Sequence, residues 1–198
     1  MKSDIILSGV GGQGILSIAA AIGLAAVENG LQLKQAEVHG MSQRGGAVQS
    51  HLRLSDREIS SDLIPLGSAD LIISVEPMES LRYLPFLSPD GWLVTNSTPF
   101  VNIPDYPDAE AVVDEVKKTG NHIIIDADEI AREAGSVRSS NMVILGAASK
   151  YIGIPEEKLT SGIRAVFSRK GDEIVQLNIR AFLAGKENAA KYLAGSTV

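Results

Sequence analysis

Six residues near the start of the chain are suited to chemistry that needs no reactive side chain. Gly9-Val10-Gly11-Gly12-Gln13-Gly14 follows apolar Ile5-Ile6-Leu7 and precedes Ile15, Ile18, Ala19, Ile22 and Ala26, which share one helical face. Strand, glycine turn and helix come in the order that the G-x-G-x-x-G fingerprint requires. Glycines let the main chain turn tightly and let a phosphate or a neighbouring subunit come close. The helix that follows offers unpaired N–H groups and the positive end of its dipole.

A second block lies further on. His39-Gly40-Met41-Ser42-Gln43-Arg44-Gly45-Gly46-Ala47 sets a polar trio, Ser42, Gln43 and Arg44, between glycines and directly after an expected strand. In a doubly wound sheet that place is the crevice edge, where ligands and partners bind. A loop, mobile or ordered by a partner, suits this composition better than a helix does. Arg44 has the geometry to pair with a carboxylate or phosphate, or else stands exposed beside a turn. Glu37 falls 23 residues past Gly14, near the spacing at which a Rossmann acid meets a ribose hydroxyl. The other reading of Glu37 is a solvated strand end. Asn141, where a helical pattern opens, suits the N-cap of a helix.

The side chains that would carry catalysis are missing. No cysteine occurs among the 198 residues, so this chain supplies no thiolate to an iron–sulfur cluster and no thiol nucleophile. His39, His51 and His122 are scattered, and no pair has ligand spacing. Neither G-x-S-x-G, H-E-x-x-H nor G-x-x-x-x-G-K-[ST] is present. No catalytic residue and no metal site is assigned. The net charge of −6 and pI near 5.1 speak against a nucleic-acid groove. Glycine or charge interrupts the apolar stretches before membrane-spanning length. With 44% hydrophobic and 21% charged residues, and no leader pattern ahead of the first strand, the expected setting is cytoplasmic.

The elements that must position these residues follow from pattern. Asn29-Gly30 stops the first helix, and residues 33–38 read as a second strand that crosses over to lie parallel beside the first. Gln49 to Ser55 alternates in character, and Asp56-Arg57-Glu58 turns it back toward Ile59, giving a half-exposed edge hairpin. Residues 71–75, 92–95 and 123–125 read as buried strands. Glu76 sits at a strand end and, with Pro77, starts a helix. Ala109, Val112, Val113 and Val116 stripe another helix, and from Asn141 onward the pattern is helical. The expectation is one α/β domain over residues 1–198: Rossmann-like, mostly parallel, helices on both faces, an edge hairpin and a helical C-terminal third. About 60 residues after Ser140 leave little room for the substrate region of a self-contained dehydrogenase.

Three blocks together carry a resemblance. Gly9 to Ile15, Glu37-Val38-His39-Gly40-Met41-Ser42-Gln43-Arg44-Gly45-Gly46, and Asn141-Met142 with Leu145-Gly146 make the chain similar to the gamma-type subunit of 2-oxoacid:ferredoxin oxidoreductases. Within that family the middle block is most similar to the small (beta) subunits of indolepyruvate ferredoxin oxidoreductases. The resemblance implies an enzyme that converts an aryl 2-oxoacid and coenzyme A to acyl-CoA and CO2 and passes electrons to ferredoxin. It also implies a larger partner bearing thiamine diphosphate and iron–sulfur clusters. On this reading Gly9, Gly11, Gly12, Gln13, Gly14, Ser42, Gln43, Arg44, Gly45, Gly46 and Asn141 face a cofactor, coenzyme A or a subunit. The residues alone leave two alternatives, a stand-alone NAD(P)-binding Rossmann oxidoreductase and a non-catalytic docking subunit.

Overall fold

A computed structural model describes residues 1–39, 45–101 and 103–195 of the chain. Among them six strands form one sheet in the order β2-β3-β1-β4-β5-β6. They are β1 (Lys2–Val10), β2 (Gln32–His39), β3 (Ala47–Ser55), β4 (Ala69–Ser74), β5 (Leu87–Asn96) and β6 (His122–Ile125). β1, β4, β5 and β6 run parallel, as their near-continuous β-branched and leucine runs require of strands buried on both faces. β3 alone runs against the other five strands.

Helices cover both faces: α1 (Ile15–Glu28), α2 (Pro77–Arg82), α3 (Ala109–Lys117), α4 (Ala127–Glu133), α5 (Ser140–Ile152), α6 (Glu156–Phe167) and α7 (Asp172–Gly195). One core joins the sheet to α1, α5, α6 and α7 through Ile5, Leu7, Ile18, Ile22, Leu145 and Phe182. A smaller one on the other face gathers Ile6, Ile72, Leu93, Tyr83 and Val116. The helical C-terminal third is as expected.

Two sequence expectations are corrected. The crossover after α1 does not bring β2 beside β1, because β3 lies between them in register from Lys2↔Ser55 to Val10↔Ala47. The hairpin is real, but its arms are β2 and β3, and no strand follows Asp56-Arg57-Glu58 toward Ile59. Polar residues mark β3 as an edge only when their partners are out of sight. Arg53 donates to the carboxylate of buried Asp4 through Nε at 2.7 Å and Nη2 at 3.0 Å, directly across the β1–β3 register. Buried charge is tolerated there because it is paired and hydrogen-bonded.

His51 tells the same story. Its Nδ1 accepts from the Ile64 N–H at 3.0 Å, and its ring meets Phe86 edge-on. Burial lowers its pKa below the ordinary histidine value, opposed by Asp62 and assisted by Arg53. A base whose folded pKa is depressed stays neutral when the unfolded chain begins to take up protons. Its contribution is therefore full above the unfolded value of about 6.5 and is lost as pH falls from there through the folded value. Urea melts should show stability declining below about pH 6.5, with His51→Gln removing that component of the slope.

Candidate functional site at the carboxyl edge of the sheet

The glycine turn caps the carboxyl end of β1 and is built as a tied knot of backbone. Gln13 N–H donates to Val10 O at 3.1 Å, while Val10 N–H donates to Gln13 Oε1 at 2.8 Å. Gln13 Nε2 reaches across to Val75 O at 3.4 Å, fastening the turn to the end of β4. Gln13 is thus a brace for the turn. A Cβ on Gly9 would stand 2.4 Å from Val75 Cγ2, so only glycine lets the strand end pass that close.

Gly14 begins α1 in the left-handed region, φ 82°, and no side chain caps the helix. Its carbonyl accepts from Asn141 Nδ2 at 3.0 Å, and a Cβ there would lie 2.5 Å from the same nitrogen. Asn141 is not the N-cap of α5, whose cap is Ser139. It stands in the first turn, accepts from Met142 N–H with Oδ1, and holds the glycine turn against α5. The sequence pairing of the glycine fingerprint with Asn141 is a physical contact 127 residues apart.

Gly12 is exposed, with φ 103° and nothing within 4 Å of where a Cβ would be. With no acidic residue in the first turn of α1, this face suits an anionic group or a neighbouring backbone. Gly11 N–H donates to Gly46 O at 2.8 Å and Gly45 N–H to Gly11 O at 3.4 Å. The two glycine blocks therefore form one surface. Ser42, Gln43 and Arg44 lie outside the described residues.

Glu37 is separated from the turn. It pairs in register with Ser50, which pairs with Leu7, placing it two strand spacings from β1, roughly 10 Å. Its carboxylate accepts from Gln35 Nε2 at 2.7 Å. The spacing matched a ribose-binding acid, but the strand order does not, since such an acid must end the strand beside the first.

A feature that the sequence reading took for a simple helix-start acid is more elaborate. Glu76 is fully buried at the end of β4. One carboxylate oxygen caps α2 by accepting from Glu79 N–H at 2.7 Å. The other accepts from Phe100 N–H at 3.4 Å and from the Tyr106 hydroxyl. Burial raises the Tyr106 pKa, and the hydrogen bond to and charge of Glu76 raise it further. The acid thus pins the segment after β5 onto the same sheet edge. The Glu76-Pro77 pair was visible in the sequence; Tyr106, thirty residues on, gave no signal.

A mostly parallel six-stranded sheet with helices on both faces and a glycine turn at the carboxyl end of β1 defines a Rossmann-like α/β module. Among the described residues no group of histidine, cysteine or carboxylate side chains has the makings of a metal site. No helix among them is long and apolar enough to cross a membrane.

The chain belongs to the pyruvate ferredoxin/flavodoxin oxidoreductase family, whose model matches residues 4–188. It is 36% identical over 198 residues to the indolepyruvate oxidoreductase subunit IorB of Archaeoglobus fulgidus, covering 96% of each chain. Among solved structures it is similar to the gamma subunit of the keto/oxoacid ferredoxin oxidoreductase of Geobacter sulfurreducens. There the TM-score is 0.69 and the identity 26%, across 96% of this chain and 99% of that one. It is also similar to the 2-oxoglutarate:ferredoxin oxidoreductase of Magnetococcus marinus, solved with 2-oxoglutarate, coenzyme A and succinyl-CoA bound. That likeness has a TM-score of 0.77 at 25% identity and spans 96% of this chain but 31% of that one. The gamma-type resemblance is borne out.

Proposed function

We propose that this chain is the small, gamma-type subunit of a thiamine-diphosphate-dependent 2-oxoacid:ferredoxin oxidoreductase whose oxoacid is indolepyruvate. The enzyme converts the oxoacid and coenzyme A to acyl-CoA and CO2 and delivers two electrons to ferredoxin. The observation that carries this reading is the 36% identity, over 96% of both chains, to an indolepyruvate oxidoreductase subunit. A chain without cysteine has no donor set for iron–sulfur clusters, so the clusters belong to a larger partner, and the family reading assigns the thiamine to that partner as well. A cytoplasmic setting goes with this reading.

The part left to this chain is positional. The knot of Gly9 to Gly14 with Gly45 and Gly46 supplies a rigid backbone surface, and the uncapped start of α1 supplies a positive end. Coenzyme A, a polyanion, or the partner's main chain is the group that such a surface receives. Ser42, Gln43 and Arg44 are assigned to the same side from their place in the sequence. The stand-alone NAD(P) enzyme is disfavoured by β3, which separates Glu37 from the glycine turn.

Gly11→Val tests the assignment within the assembled enzyme. Gly11 bonds through both backbone groups to the second glycine block, and a branched side chain there would obstruct close approach. We expect the KM for coenzyme A to rise about tenfold or more, or assembly to weaken equally, with the melting temperature little changed. Unaltered kinetics and assembly would remove the glycine surface from the site.

A further inference from the structure

Helix α1 is apolar on the side it shows to solvent. Ile15, Ile18, Ala19, Ala21, Ile22, Ala25 and Ala26 are buried against the sheet and neighbouring helices. The opposite arc holds Leu16 and Leu24, each 46% exposed, and Val27, 63% exposed. Ala20 is exposed between them. Successive steps of four, four and three residues keep these side chains on one stripe. No charged residue occurs in α1 before Glu28, which is tied to Lys158 of α6 at 3.2 Å. A surface helix ordinarily turns polar residues outward, and a helix apolar all round is ordinarily buried. The amphipathic helices α3 and α6 follow that rule: their outward faces carry Glu110, Asp114 and Lys117, and Arg164.

We infer that the Leu16–Ala20–Leu24–Val27 face of α1 is a docking surface for the larger subunit of the oxidoreductase. This rests on the subunit reading above. One observation selects that occupant over a second copy of the chain. Four side chains spread over twelve residues of helix, about 16 Å, are far fewer than the 20–30 residues per side of a stable specific interface. The stripe is therefore the apolar centre of a wider contact. Its first residue, Leu16, sits two residues after Gly14, so a body seated on the stripe also reaches the glycine turn assigned to the partner's side. The Magnetococcus marinus enzyme supplies the selecting observation. There the match spans 31% of a longer chain, so the remainder of that chain is joined to this module covalently and stands available to cover it.

The test uses the full chain and its co-expressed larger subunit. Leu24→Glu with Val27→Lys keeps good helix formers at both positions and adds a favourable pair three residues apart, so the fold survives. Circular dichroism and the melting temperature check this. Biolayer interferometry should show the double variant binding the larger subunit at least about thirtyfold more weakly than wild type, as charges in a dry interface centre require. Sedimentation should find the wild-type chain alone monomeric. Wild type that binds and a variant that binds equally well would overturn the α1 assignment and leave the subunit reading standing. Failure of wild type itself to bind would overturn both. A wild-type dimer split by the substitutions would reassign the face to a second copy.

Discussion

Gly146→Ala, and independently Gly185→Ala, should cost about 3 kcal/mol or more, the upper end of what overpacking a core produces. For a chain of this size that is a fall in melting temperature of roughly 6–12 °C. The cause is backbone against backbone. A Cβ on Gly146 of α5 would lie 1.8 Å from Phe182 O of α7, and one on Gly185 of α7 would lie 1.9 Å from Val143 O of α5. Neither obstacle is a side chain that can swing aside, so the two helices must separate and the packing of Phe182, fully buried between them, must open. The same logic applies at Gly162, where a Cβ would meet Ala21 O of α1 at 2.2 Å. Gly120→Ala is the control: nothing stands within 4 Å of that site. It should be neutral or slightly stabilising by thermal denaturation, since alanine has less unfolded freedom to lose.

Asp4→Ala should cost about 3–5 kcal/mol, the usual penalty for breaking a buried ion pair from one side. Asp4 is 1% exposed and holds the Arg53 guanidinium through two bonds. Arg53 in turn donates Nη1 to Ser61 O and Leu63 O, each at 3.0 Å. Removing the acid leaves a cation with 16% side-chain exposure stripped of the carboxylate that holds it through two bonds. It also loosens the 61–63 segment. Asp4→Ala combined with Arg53→Met should recover much of the loss in urea melts, because a vacated pair replaced by apolar groups is far cheaper than a widowed charge. Equal losses in the single and double variants would show that the pair itself, not the orphaned arginine, carries the effect.

The sequence disclosed what depends on local pattern. Gly9 to Gly14 between Ile5-Ile6-Leu7 and the Ile15 stripe located the turn and α1; the β-branched runs located β4 and β6. Strand order was hidden because it depends on partners. Gln49, His51 and Arg53 looked like the solvent face of an edge strand, and only Asp4, the Ile64 N–H and β2 explain how they lie inside a sheet. The two readings of Glu37 stayed open for the same reason, since a count of residues says nothing about an inserted strand, and the structure leaves it a strand-end acid. Asn141 could be singled out by type but not by role, which needed Gly14 beside it. The Tyr106 bond to Glu76 was silent, because tyrosine and acid lie thirty residues apart with no shared motif.

The central claim is that this chain shapes a surface while the reacting cofactors sit on a companion. The most direct measurement is coenzyme A-dependent reduction of ferredoxin by indolepyruvate, with the purified chain alone, the larger subunit alone, and the two mixed. Full turnover from the mixture, none from this chain alone and a large deficit when it is withheld is the predicted result. Turnover by these 198 residues on their own, or an undiminished rate from the larger subunit without them, would contradict it.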